Sequence, residues 1–171
     1  LSSMYVKNGK KIRALCEKWC NYYEPHPNKD VIYYYNTTAL DKGYADEESQ
    51  SFADIIVNYL EGRGWNVTPV FIGNTWSHQA KYNAINEALE GHNYLFPLFN
   101  RDNNEVLLSA IETTGTRIGR TGFEKDKSME KRPETEDNKY ETRTDGTDCW
   151  DDLFIGLNFW PQQYTSQTFT T

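Results

Sequence analysis

No run of apolar residues in this chain approaches the roughly 18 that a membrane span requires. The opening LSSMYVKNGKK also lacks the apolar core of a signal peptide, so a soluble, unexported protein is expected. Cysteine is scarce: Cys16, Cys20 and Cys149 make an odd count with no disulfide framework, which points to reduced thiols in a cytosolic setting. Cys16 and Cys20 lie one helical turn apart, but no further Cys or His follows at zinc-site spacing, and a helical core is the reading for both. The histidines are scattered, His26 in a proline turn, His78 at a helix start and His92 after a helix-ending glycine, and support no chemistry of their own. A G-x-S-x-G elbow, a G-K-[ST] phosphate loop and a G-x-G-x-x-G fingerprint are all absent. Positive charge is short too: the net charge of −7 argues against a nucleic-acid partner unless the basic residues cluster.

What is present suits one packed domain. A chain of 171 residues is long enough for one sizeable core, and 15% aromatics argue against general disorder. Ile12, Leu15, Cys16, Trp19, Tyr22 and Tyr23 recur at helical spacing, and PHPN at 25–28 stops that helix. DVIYYYN at 30–36 reads as a buried strand, and SSMYVKN at the start as one more. A second helix is expected from about 46 to 61, ended by Gly62 and Gly64, with the strand VTPVFIG after it. Ser77 caps a helix through Leu89; YLFPLFN then reads as an apolar strand, with Pro97 suggesting an edge or a bulge. Asp102 and Glu105 open a helix carrying Val106, Leu107, Ala110 and Ile111. This alternation predicts an α/β fold with a central, mostly parallel or mixed sheet flanked by helices. Residues 115–144 show no hydrophobic period and are expected to form a long functional or disordered loop. A last helix resumes near 148, and 161–171 form a frayed tail.

The densest chemistry lies in TDGTDCWDDLF, where four aspartates fall within eight positions. At about 100° per residue, Asp148, Asp151 and Asp152 project on one side of the last helix and Trp150, Leu153, Phe154 and Leu157 on the other, with Asp145 extending the acidic line. No Lys or Arg at i+3 or i+4 relieves the repulsion, so something positive is expected nearby. Helix capping accounts for one or two of these aspartates. For the set, the alternative is a divalent-cation site, because Mg²⁺ and Mn²⁺ prefer carboxylate oxygens. One helix cannot complete such a cage, and α/β sheets bind ligands beyond their strand ends. YYYNTTALD therefore offers Asn36 at a strand tip and Asp41 just past it. Residues 116–132 hold six basic side chains, including Arg117, Arg120, Lys125, Lys127 and Lys131, against three acidic ones. That local surplus of +3 suits either a solvated loop or a polyanion whose phosphate meets a metal.

Taken in order, VIYYYNTTAL, RGWNVTPVFIG, SHQAKYNAINEAL, GRTGFEKDKSMEK and RTDGTDCWDDLFIG resemble the C-terminal nuclease domain of the phage terminase large subunit. The likeness spans about residues 4–160 and rests more on the order of the segments than on any one of them. It implies an RNase H-like fold and an Mg²⁺- or Mn²⁺-dependent endonuclease, with a two-metal site, that cuts concatemeric DNA during packaging. It also implies double-stranded DNA, the portal protein and the small terminase subunit as partners, no membrane, and the cytoplasm of the bacterial host as location. The family's third acidic residue falls on Asp148, with Asp145, Asp151 and Asp152 beside it, and Lys125, Lys127 and Lys131 fall in the loop expected near DNA. Two departures stand out. The second acidic position falls on Asn36, a weaker cation ligand, and the family's first acidic strand and ATPase are not found in this sequence, so a fragment without cleavage activity is one expectation. A non-catalytic DNA- or portal-binding module, and a flavodoxin-like nucleotide-binding domain, are the alternatives. The former predicts DNA binding without nicking, the latter mononucleotide binding and indifference to DNA.

Overall fold

A computed structural model describes residues 12–41, 50–74, 76–119, 122–128 and 144–159. Outside this set lie the expected first strand, residues 46–49 of the second helix, Arg120, Lys131 and the tail, together with the Asp145 side chain. The described residues form a mixed α/β structure of five α-helices with a parallel and an antiparallel strand pair.

Helix α1, Ile12–Tyr23, turns Cys16 and Cys20 inward, and the chain leaves it where Pro25 and Pro27 remove backbone donors. The Cys16 thiol is pushed up to about 11, mainly by burial, as befits a core residue. Strand β1, Asp30–Tyr35, follows. It ends at Asn36, whose Oδ1 accepts the Thr38 amide at 2.8 Å and caps a single 3₁₀ turn, Thr37–Leu40. Helix α2, Phe52–Gly62, begins later than its sequence period suggests. The reason is a capping box: Ser51 Oγ accepts from the Asp54 amide at 3.1 Å while the Asp54 carboxylate accepts from the Ser51 amide at 3.0 Å. Gly64, at φ 83°, turns the chain out of α2 into strand β2, Asn66–Phe71. Strands β1 and β2 pair in parallel, from Asp30 opposite Asn66 to Tyr35 opposite Phe71.

Because side chains alternate across a strand, β1 serves two layers. Tyr33 joins the core that α1 and α2 build with Cys20, Leu60, Trp65 and Val67. Tyr34 faces the other way, against the final helix, where its ring lies 2.5 Å from the position a Cβ on Gly156 would take. A second core gathers Ala84, Ala88, Leu107, Trp150, Phe154 and Ile155. It is made by α3 (His78–Leu89), α4 (Glu105–Thr113) and α5 (Asp145–Phe159).

Two expectations fail between these helices. YLFPLFN forms no strand: Pro97 has no N–H to offer, and the Leu95 amide donates instead to Asn158 Oδ1 on α5 at 2.9 Å. Tyr94 and Phe99 still pack on the second core, while Leu95, Phe96 and Leu98 are exposed. Nor is the segment after 115 without structure. Strand β3, Thr116–Gly119, pairs antiparallel with β4, Gly122–Lys125, and this hairpin leans on α3 through Phe123 and Tyr82, ring centroids 5.3 Å apart. The Asp102–Glu105 start is shifted as well: Asn104 occupies the cap position of α4, buried, with its amide donating to the Asn100 carbonyl at 2.7 Å.

Candidate functional site

The carboxylates of α5, the two lysines at the end of the hairpin and the tip of β1 come together. Asn36 Nδ2 donates to Asp152 Oδ2 at 2.5 Å, joining residues 116 positions apart. Lys125 Nζ donates to Asp151 Oδ2 at 2.7 Å, Thr147 Oγ1 at 3.0 Å and Asp148 Oδ1 at 3.1 Å. Lys127, carried on a turn closed by the Ser128 amide on Asp126 Oδ1, pairs with the other oxygen of Asp148. The positive partner that the acidic helix calls for is thus a set of ammonium groups.

Asp151 departs from its expected place. Thr147, Trp150, Phe154 and Ile155 are buried on α5, and at about 100° per residue Asp151 lies inside that stripe rather than beside it. It is 4% exposed. A carboxylate so placed needs a cation, and a second one is supplied by Lys81 of α3. Its Nζ lies 3.3 Å from the same Asp151 Oδ2 that Lys125 contacts. Lys81 was not singled out from the sequence. Its signal appears once the buried face is known: it sits at i−3 and i−7 from Ala84 and Ala88 on the buried line of α3, where an unpaired lysine is costly.

Asp148 and Asp152, one turn apart, flank the buried stripe and are only partly covered. Their environments differ. Burial raises the Asp148 carboxyl, but the Lys127 hydrogen bond and the charges of Lys125 and Lys127 outweigh it and hold the group below the usual range. Burial also raises Asp152. Lys81 and Asn36 oppose this, Asp151 and Asp148 reinforce it, and the carboxyl stays above the usual range. Among the described residues Asp152 Oδ1 is buried without a hydrogen-bond partner, as is His78 Nδ1. Burial, followed by the nearby Lys81 charge, depresses the His78 pKa.

A pocket of about 200 Å³ opens between α3, the hairpin and α5, walled by Tyr82, Ile85, Phe123 and Trp150 together with Lys125 and Asp151. Its apolar wall shields one side of the ion pairs from water, which strengthens them. Other expected site residues lie apart. Arg117 pairs with Glu124 across the hairpin at 3.5 Å with its side chain 55% exposed, and Asp41 is an exposed turn residue. Asp145 opens α5, and its side chain, like Arg120 and Lys131, is outside the described residues.

The donors near Asp152 suit a hard cation only in part. Asp152 Oδ1 and the Asp148 carboxylate, one turn apart, are oxygen donors of the right kind, but both Asp148 oxygens already accept from Lys125 and Lys127. Asp151 is engaged by two ammonium groups, and Asn36 turns its N–H₂ toward Asp152. Among the described residues no group of three or more His, Cys, Asp or Glu is arranged to hold a metal ion. No helix among them is long and apolar enough to cross a membrane. Comparison with family models, curated proteins and solved structures returns no match, so the site is argued from its own geometry.

Proposed function

We propose that this chain is a phosphodiester-cleaving, DNA-binding domain of the terminase large-subunit type, with one divalent cation, Mg²⁺ or Mn²⁺, held by Asp148 and Asp152. The observation that carries the reading is the Asn36–Asp152 hydrogen bond, which brings the acidic helix to the tip of the tyrosine-rich strand. An RNase H-like arrangement belongs to the same proposal, supported by the parallel β1–β2 pair with α5 laid against β1. Asp148 and Asp152 would hold the cation, which when bound would supply activation of water and charge neutralisation at the phosphate.

The chain's own groups do the rest. Lys125, with a side chain 13% exposed, is fixed by three oxygen acceptors and presents a positioned ammonium at the inner edge of the site. Lys127, 40% exposed, stands at the rim and is placed to exchange Asp148 for a phosphate oxygen when DNA arrives. Pairing with lysine keeps Asp148 ionised in the absence of metal, ready to act as a ligand or base. The packaging context, with portal and small subunit as partners in the bacterial cytoplasm, extends this reading and rests on the resemblance alone.

A second reading has its own observation. Ammonium groups already engage Asp148 and Asp151, and Asn36 offers a donor where a cation wants an oxygen. On that view the cluster is a metal-independent polar network in a DNA- or portal-binding module. Nicking of supercoiled plasmid in Mn²⁺ separates the two. The nuclease reading expects nicking by the native chain and a loss of at least about 100-fold in Asp148→Asn, as for removal of a group that stabilises the transition state. Equal rates for the two proteins would sink the proposed site. Duplex binding without nicking, by the native chain and by Asn36→Asp alike, would favour the binding module.

A further inference from the structure

We propose that Lys81 is a positioning residue for this site: acting through Asp151, it sets where the Lys125 ammonium stands against Asp148. The inference rests on the nuclease reading for its consequence, but not for its geometry. Lys81 comes from α3, Lys125 from the hairpin and Asp151 from α5, so three separate elements meet at one carboxylate oxygen. The Lys81 and Asp151 side chains are 5% and 6% exposed. A pair so deeply placed gives up most of its hydration, and as a source of stability alone it is a poor use of the position, since apolar residues of similar volume commonly do as well. Its geometric effect is specific. Without Lys81, Lys125 is the one ammonium left on the Asp151 carboxylate among the described residues, and the carboxylate can turn about its side-chain torsions. Lys125 would then follow it away from Thr147 and Asp148, its two other acceptors. With Lys81 in place, Asp151 Oδ2 is fixed between two ammonium groups and Lys125 keeps all three contacts.

Lys81 does not reach the exposed part of the site, as Lys127 does, so its substitution should act on turnover rather than on DNA capture. The test compares native protein with Lys81→Met, Asp151→Asn and the double variant. It measures kcat and KM for duplex cleavage in Mn²⁺, and the ¹H–¹⁵N resonance of the Lys125 ammonium without metal. The expected result is a kcat at least tenfold lower in Lys81→Met, KM changed less than twofold, a displaced or broadened Lys125 resonance, and a double variant no worse than either single one. Unchanged kcat in a folded Lys81→Met, or losses that multiply in the double variant, would overturn the assignment. If Lys81→Met does not fold, the double variant, which leaves no buried charge stranded, carries both measurements. There, native kcat or an unmoved Lys125 resonance overturns the proposal. Should the native chain cleave nothing, the nuclease reading falls by itself, and the Lys125 resonance alone decides whether Lys81 positions it.

Discussion

Asp152 and Asp148 sit one turn apart on the same helix and respond to pH in opposite directions. The folded state holds the Asp152 proton more tightly than the unfolded chain does, because burial disfavours the carboxylate. Its contribution to stability is therefore fullest below the ordinary value of 3.8 and is lost as pH rises through the raised folded value. Asp148 is shifted down, so its contribution is present above 3.8 and is lost as pH falls through the lowered folded value. Replacing Asp152 with Asn removes the cost of ionising it while keeping an oxygen for the Asn36 amide. Asp152→Asn should accordingly raise the thermal midpoint by a few degrees at pH 7, lose that gain near pH 3, and abolish stabilisation by Mn²⁺. A lower midpoint at pH 7 with Mn²⁺ stabilisation retained would contradict both the burial argument and the ligand assignment. This conflict between stability and site chemistry was not legible in the sequence. The helical spacing of the aspartates shows that they share a region; which one is stranded depends on where three lysines from other elements land.

At the scale of elements, the approach of α5 to β1 decides whether there is a site at all. Gly156 is what permits it, since a methyl group there would meet the Tyr34 ring at 2.5 Å, under any ordinary contact. Gly156→Ala should cost about 1–3 kcal/mol in urea unfolding and weaken the Asn36–Asp152 contact one helical turn away. Stability equal to the native protein would show that the helix does not lie as close as described. Much of this level could be read from sequence. The proline stop after α1, the Ser77 cap with its oxygen accepting from the Ala80 amide at 3.2 Å, and the aromatic strand β1 all follow local rules. The failures have equally local causes. YLFPLFN has a strand-like composition, but the Tyr94 amide donates to the His92 carbonyl and the Leu95 amide to the side chain of Asn158 rather than to a neighbouring strand. The β3–β4 hairpin is not legible in the sequence because its strands are four residues each and neither shows an in–out alternation of burial, so one apolar residue per strand, Ile118 and Phe123, does not stand above a polar background. Lys81 was overlooked because a lysine within a polar helix draws attention only once the buried face of that helix is known.

For the whole molecule, a net charge of −7 sets the terms on which it can meet DNA. A net negative charge gives no long-range attraction to a polyanion, so the proposed DNA binding would rest on the few cations gathered by the hairpin and should be strongly dependent on salt. Lys127, at the rim beside Asp148, is placed for a phosphate. Lys127→Ala should lower duplex affinity and reduce the slope of log K against log salt by about 0.9, the value for one phosphate contact. An unchanged slope would place the DNA elsewhere. The cation site proposed at Asp148 and Asp152 lies beside the tip of β1. The most direct measurement is anomalous scattering from crystals soaked in millimolar Mn²⁺. A manganese peak within coordination distance of both carboxylates is expected, with Lys127 drawn off Asp148. Crystals showing no peak there, with Lys127 still seated on Asp148, would contradict it.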